Sequence, residues 1–499
     1  MLNWTALRQA QGPAKAQVVE PVQTPTRIMQ VNFLNTDTIC AIATPHGMGA
    51  IAVVRVSGSK AITVVSQMFM QSGRPFNVDE MVANRAYYGH IVEHGELLDE
   101  VLVTFFKAPH SFTGEDSAEI SVHGSVFVQQ KLLQILIAHG CRMAEAGEFT
   151  RRAFINRKFD LAQAEAIADL INSESEAAHR VAINQMKGGF SKELQMMRSK
   201  LLEMTSLMEL ELDFSEEDVE FADRSQLKAL LQETLAHVNK LKDSFRLGNA
   251  IKNGVPVAIV GQTNTGKSTL LNALLGEDRA IVSDIAGTTR DTIEETLNIN
   301  GILYRFIDTA GLRNTDETIE KIGIERSYKK ISEANVIIGM LDATTGYESM
   351  LSSAQEIASK VDLEHQQLIL CINKVDTLPD QGEALLGELR LDLDNDDIMV
   401  ICLSAKHGFG LNDLYNTLKH NQPLAAPDAT LVTNVRHYEA LMHASESLRS
   451  VQQGLEMNIP IDLISQDLRQ ALFYLGSITG EITTDEVLGT IFSRFCIGK

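Results

Sequence analysis

Gly261-Gln262-Thr263-Asn264-Thr265-Gly266-Lys267-Ser268 has the spacing G-x-x-x-x-G-K-S, with a strand-like run (255–260) before it and an apolar helical run (269–275) after it. In that setting the glycines let backbone N–H groups of Asn264, Thr265 and Gly266 curl around phosphate oxygens. The helix opening at Lys267, Ser268 and Thr269 adds the positive end of its dipole. Lys267 suits β and γ oxygens, and the Ser268 hydroxyl suits Mg2+.

Further along the chain, four short motifs stand in the order a GTP-hydrolysing domain needs. Gly287-Thr288-Thr289-Arg290-Asp291 falls where a switch loop supplies a magnesium-ligating threonine. Asp308-Thr309-Ala310-Gly311 ends a strand-like run, which sets Asp308 near the magnesium and the Gly311 N–H near the γ-phosphate. Asn373-Lys374-Val375-Asp376 ends another; its Asp carboxylate can accept from guanine N1–H and the exocyclic amine, a donor pair that adenine lacks. Ser404-Ala405-Lys406 follows the last strand and can present a backbone N–H to guanine O6. Candidate strands at 255–260, 304–307, 336–341, 368–372 and 399–403 alternate with helical text, the pattern of a parallel α/β sheet.

On either side the text is helical. Leu161, Ala164, Ile167, Leu170 and Ile171 share one apolar face, and Leu201, Met204, Met208 and Leu212 another. Proline is absent between Pro109 and Pro256, which permits long helices. Earlier, the runs 39–42, 51–56, 101–106 and 119–122 read as strands and Val126 to Ala138 as a helix. The expected organisation is an α/β P-loop GTPase domain (253–421) inserted into an all-α helical domain (156–252 and 422–499). An α+β domain (37–155) and a disordered extension (1–36, with Pro13, Pro21 and Pro25) precede it.

The chain has 499 residues and a net charge of −21, so its overall field repels nucleic acid. An RNA partner needs a local basic patch or a second protein. Cys40, Cys141, Cys371, Cys402 and Cys496 are scattered and odd in number, which indicates neither a disulfide framework nor a zinc site. With no apolar run long enough for a membrane span and no signal-peptide core, the expectation is a cytoplasmic protein with no membrane partner.

The residue after Gly311 is Leu312, where Ras-type enzymes carry the glutamine that orients water. Asp316, Glu317 and Glu320 follow as candidate replacements, each alone a common surface acid. The Asn264 side-chain carbonyl can ligate a monovalent cation beside the phosphates, in place of an arginine finger.

These residues resemble the bacterial tRNA modification GTPases of the MnmE/TrmE family, from about Thr38 to Lys499. The features that carry the resemblance are Asp284-Ile285-Ala286-Gly287-Thr288-Thr289-Arg290-Asp291, Asp308-Thr309-Ala310-Gly311-Leu312-Arg313 and the terminal Phe495-Cys496-Ile497-Gly498-Lys499. Ser111-Phe112-Thr113-Gly114-Glu115-Asp116 and Leu161-Ala162-Gln163-Ala164-Glu165-Ala166 are similar too. Thr263 stands where the family usually has Pro, a change in loop stiffness more than in chemistry.

The resemblance implies a K+-activated GTP hydrolase that pairs its G domains as a homodimer and joins an FAD-binding subunit in a heterotetramer. Together they would add an aminomethyl or carboxymethylaminomethyl group to C5 of the wobble uridine of certain tRNAs. It implies K+ held by Asn264, Ser283, Ile285 and Thr288, Mg2+ by Ser268 and Thr289, and the attacking water positioned through Glu320. Arg55, Glu119, Lys158 and the terminal Lys499 match binding positions for 5-formyl- or 5,10-methylene-tetrahydrofolate, and Cys496 matches a residue needed for the tRNA chemistry. Ribosome-assembly GTPases that only bind and regulate are the competing class; they lack the N-terminal domain and the FCIGK ending. A purely structural nucleotide binder is disfavoured by the magnesium and water-positioning set.

Overall fold

The structure, a computed structural model, describes residues 37–213, 224–278, 295–299, 301–307, 331–420, 430–457, 459–482, 485–493, 495 and 498. The extension expected over 1–36 lies outside them. Short apolar runs broken by Pro and Gly become β1 (Ile39–Ile42) and β2 (Ile51–Ser57). Then come α1 (Ala61–Met68), β3 (Phe69–Gln71), β4 (Arg74–Pro75), β5 (Ala86–Glu93) and β6 (Glu96–Phe106). β7 (Ser117–His123), α2 (Val126–Ala138), β8 (Arg142–Met143) and α3 (Glu148–Ile155) complete this part. The eight strands form one sheet in the order β4-β3-β5-β6-β7-β2-β1-β8, antiparallel except for the β1–β8 pair. Alternation along the strands turns Val54, Val103 and Ile120 inward against Val65, Leu132 and Leu136 of α1 and α2. The opposite face carries Arg55, which pairs across the ladder with Glu119.

A helical section follows: α4 (Leu161–Ile171), α5 (Glu176–Met186), α6 (Gly189–Asp213), α7 (Arg224–Asp243) and α8 (Phe245–Asn253). The proline-free text lets α6 run 25 residues. Asp160 and Gln163 explain the start of α4, since each side chain accepts the other's backbone N–H in a capping box.

The parallel-sheet text folds as β9 (Val255–Gly261), α9 (Lys267–Asp278), β10 (Glu295–Ile299), β11 (Ile302–Phe306) and β12 (Val336–Asp342). After them come α10 (Tyr347–Ala358), β13 (Gln367–Asn373), α11 (Glu383–Leu393), β14 (Ile398–Cys402) and α12 (Leu411–His420). Sheet order is β10-β11-β9-β12-β13-β14, parallel except for the β10 edge. Helices cover both faces, so every residue of β12 is buried, which is why it reads as an unbroken apolar run.

The chain then returns to α13 (Val435–Glu456), α14 (Ile461–Thr479) and α15 (Asp485–Phe492). α6, α7, α13 and α14 share one core, including Leu201, Met204, Leu231, Leu448 and Leu475, so the α/β sheet is an insertion between two halves of one bundle. Departure and return are fastened side by side. The Val432 N–H donates to Ser244 Oγ at 3.1 Å, and a Cβ on Gly248 would collide with the Val432 carbonyl.

A buried ion cluster ties the halves together. Glu165 of α4 accepts from Arg436 Nε (3.1 Å) and Nη2 (2.9 Å), and lies 2.6 Å from His437 Nε2. Arg436 also donates to the Ser477 and Ile478 carbonyls at the end of α14. Burial opposes ionisation of Glu165, but His437 and Arg436 overcome it and hold the carboxyl at about 2. Burial pushes His437 below its usual value, so the ring is neutral with Nε2–H donating to Glu165. Both folded values are depressed, so both groups add stability at neutral pH that is lost on acidification. His437 acts below about 6.5, its unfolded value. Glu165 adds a further loss as pH falls from 4.5 toward about 2. Urea unfolding is expected to show a midpoint that falls from pH 7 to pH 5. Glu165→Ala is expected to cost about 3 kcal/mol at pH 7 by leaving Arg436 unpaired. A flat midpoint, or a cost below about 1 kcal/mol, contradicts the assignment.

The C-terminal segment closes back on the first domain. Leu488 and Phe492 of α15 pack on Leu161 and Ala164, a Cβ on Gly147 would meet the Phe492 carbonyl, and one on Gly498 would meet the Ile42 carbonyl at the end of β1.

Candidate functional site

β9 delivers the phosphate loop between its last residue, Gly261, and the first turn of α9. Two glycines there cannot be replaced: Gly261 has φ +146° and Gly266 φ +100°, and a Cβ would collide with the Met340 carbonyl in the first case and the Asn373 side-chain nitrogen in the second. Between them the exposed Asn264 adopts φ 63°, a left-handed conformation that asparagine tolerates better than most residues. Thr265 is buried with its hydroxyl donating to the Gln262 carbonyl (2.9 Å), which holds the loop in its curl. Lys267 Nζ crosses the loop and donates to the carbonyls of Gly261 (2.9 Å) and Gln262 (2.7 Å). Ser268 is half-buried and Thr269 exposed on the first turn of α9.

One buried side chain joins the three separate motifs. Asn373, the last residue of β13, donates from Nδ2 to the Thr265 carbonyl (2.7 Å) and accepts the Ala405 N–H on Oδ1 (3.0 Å). The phosphate loop, the Asn373–Asp376 segment and the Ser404–Lys406 segment are therefore held at one sheet edge, although 108 residues separate Thr265 from Asn373. Lys374 takes φ 65°, and its Nζ pairs with Asp342 Oδ2 at 2.6 Å. Burial opposes ionisation of Asp342, yet the Lys374 contact and the Thr344 groups hold its carboxyl below the usual range. Asp376 is exposed, 3.6 Å from His407. The Ser404 hydroxyl, its own backbone N–H, His407 and Lys406 hold it low, so it is an ionised acceptor at neutral pH.

Asp342 was missed in the sequence. It ends β12 as Asn373 ends β13, and that shared position at the end of neighbouring strands is the signal that would have found it. Ser283, Asp284, Ile285, Ala286, Gly287, Thr288, Thr289, Asp308, Thr309, Ala310, Gly311, Glu320, Cys496 and Lys499 lie outside the described residues.

The second expected site lies on the first sheet. Arg55 donates to Glu119 Oε1 from Nε (3.0 Å) and Nη2 (2.8 Å), so these two are one cross-strand pair. The Arg55 guanidinium stands 5.0 Å from the Phe112 ring centre and 5.7 Å from that of Phe149, two neighbours the sequence did not reveal. Lys158 reaches the loop that carries Phe112, donating to the Pro109 carbonyl at 2.9 Å. The Phe112 and Phe159 rings are tilted to one another, 6.1 Å centre to centre.

A parallel sheet with a glycine-cradled phosphate loop and an acidic base loop defines a P-loop guanine-nucleotide-binding protein, carried here as an insert in a helical bundle. The MnmE helical domain family matches residues 161–496, and the "GTP-binding protein TrmE N-terminus" family matches 38–158. A tRNA modification GTPase MnmE of Bacteroides fragilis is 50% identical over 468 residues, covering 93% of this chain and all of that one. The protein of that name from Flavobacterium johnsoniae is 49% identical over 472 residues, covering 94% and 100%. Among solved structures, Era of Aquifex aeolicus is 30% identical over 38% of this chain and 66% of that one, with a TM-score of 0.26 that adds nothing to the assignment. The chain belongs to the MnmE (TrmE) family of tRNA modification GTPases. Among the described residues no helix is long and apolar enough to cross a membrane.

Proposed function

We propose that this protein hydrolyses GTP to drive the addition of an aminomethyl or carboxymethylaminomethyl group to C5 of a wobble uridine, as a homodimer working with an FAD-binding subunit. The observation that carries the reading is Asn373, which fixes the phosphate loop and the base-reading segments as one site in a chain of this family. Gly261 and Gly266 fit a phosphate cradle because a side chain at either would fill it. Lys267 would leave the loop carbonyls for the β and γ oxygens, and Asp376 would accept from the guanine edge. Ser268 and Thr289 would hold Mg2+, whose charge favours the leaving phosphate.

With Leu312 in place of a glutamine, Glu320 would place the water, and Asn264, Ser283, Ile285 and Thr288 would hold a K+ ion whose charge offsets that developing on the phosphates. The exposed carbonyl-bearing Asn264 at the loop crown suits that role. A tetrahydrofolate would supply the one-carbon unit at the Arg55–Glu119 pair beside Lys158. Gly498 packs on Ile42 at the end of β1, in the sheet that carries that pair.

The test is GTP turnover in KCl and NaCl at matched ionic strength, with Glu320→Ala alongside. The expectation is stimulation by K+ of at least about tenfold and a loss of about a hundredfold or more in the variant. Equal slow turnover in both salts removes the cation mechanism.

A further inference from the structure

The chain carries 65 acidic side chains against 44 Lys and Arg, and many of its surface bases sit against a carboxylate. Arg142, Arg151, Arg152, Arg180, Arg198, Lys200, Lys252 and Arg436 all do. Two loops at one end of the first sheet gather bases that do not. The loop leaving β6 carries Lys107 and His110, closed by the His110 N–H donating to the Lys107 carbonyl (2.8 Å). The turn after α3 carries Arg157 and Lys158. The loops are laced together by Lys158 to the Pro109 carbonyl (2.9 Å) and Asn156 Nδ2 to the Thr113 carbonyl (2.8 Å). All four basic residues are exposed, and among the described residues Lys107, His110, Arg157 and Lys158 make no ion pair. Arg157 is held at φ 56°, a conformation costly for arginine, which fixes its position at the turn.

The neighbouring carboxylates are turned to other work. Asp116 Oδ1 accepts the Ala108 N–H (2.9 Å), Asp160 caps α4, and Glu115 accepts from Arg152 and Ser57. On these two loops the bases are exposed and the carboxylates half-buried, beside Phe112 and the Arg55–Glu119 pair.

We infer that Lys107, His110, Arg157 and Lys158 form a docking surface for the phosphate backbone of tRNA. The surface would hold the RNA against the sheet where the one-carbon unit is delivered. This rests on the tRNA reading proposed above. Phosphate contacts of this kind position a nucleic acid without reading its sequence, and each neutralised phosphate adds a unit-sized step to the salt dependence.

The experiment measures binding of a wobble-uridine tRNA transcript to the full-length protein by fluorescence anisotropy across a KCl series. Lys107→Glu/Arg157→Glu is compared with Lys228→Glu/Lys419→Glu, an equal charge change at exposed positions of α7 and α12. The first pair is expected to weaken binding about tenfold or more and to lower the salt slope by about two, with GTP turnover unchanged. The milder Lys107→Gln/Arg157→Gln should give an intermediate loss, and matching thermal midpoints exclude misfolding. If wild type binds and the first pair binds equally well, the surface is wrong and the tRNA reading stands. An equal loss in the second pair also overturns the surface, as an effect of bulk charge. No binding by wild type overturns the surface and leaves the FAD-binding subunit as the part that holds tRNA.

Discussion

Replacing Lys267 by alanine should lower kcat/KM for GTP about a thousandfold while leaving the fold intact. The ammonium is the only side-chain cation on the loop between Gly261 and Ser268. Among the described residues its Nζ donates to the loop carbonyls of Gly261 and Gln262, and its side chain belongs to neither apolar core of the sheet. Urea unfolding should shift by less than about 1 kcal/mol. Turnover within tenfold of wild type would mean that charge at the β and γ oxygens comes from elsewhere, and the phosphate site would need to be redrawn.

Asp376→Asn should weaken GTP about a hundredfold and bring xanthosine triphosphate close to or above it. The carboxylate, held ionised by Ser404 and its own backbone N–H, has two acceptor oxygens for the two guanine donors. An amide keeps one acceptor and puts an N–H against the guanine amine. Losing hydrogen bonds to a charged group costs about 3 kcal/mol, which is about a hundredfold in affinity. Xanthine carries a carbonyl in place of that amine and accepts from the amide instead. Isothermal titration with both nucleotides decides it: an unchanged GTP-to-XTP ratio would place guanine recognition outside the Asn373–Asp376 segment.

Much of the fold was legible because burial wrote itself into period and composition. Strands covered on both faces, such as β12 and β13, appeared as apolar runs, and α2 was readable from Val126 to Ala138. β5 was not. Gly89 in Ala86–Glu93 reads as a turn residue, yet in the sheet its missing Cβ makes room for the Met70 carbonyl and the Phe69 ring. β10 escaped too, because an edge strand with the sequence Glu-Thr-Leu-Asn-Ile lacks the apolar run of its neighbours.

The same division holds for the site. Residues placed by the local shape of the loop, Gly261, Gly266 and Lys267, were legible from spacing alone. Asn373 reads as a base-loop residue, but its work as the tie between Thr265 and Ala405 depends on partners distant in sequence. Glu165 gave no sign of Arg436 and His437 for the same reason, lying 271 and 272 residues from them.

The central claim is that GTP turnover at this site serves tRNA modification. Its most direct test is mass spectrometry of nucleosides from bulk tRNA of a strain lacking the gene, complemented with wild type or with Lys267→Ala. The account predicts loss of 5-aminomethyl- and 5-carboxymethylaminomethyl-type uridines in the deletion, recovery with wild type and none with the variant. Wobble uridines fully modified in the deletion strain would contradict it.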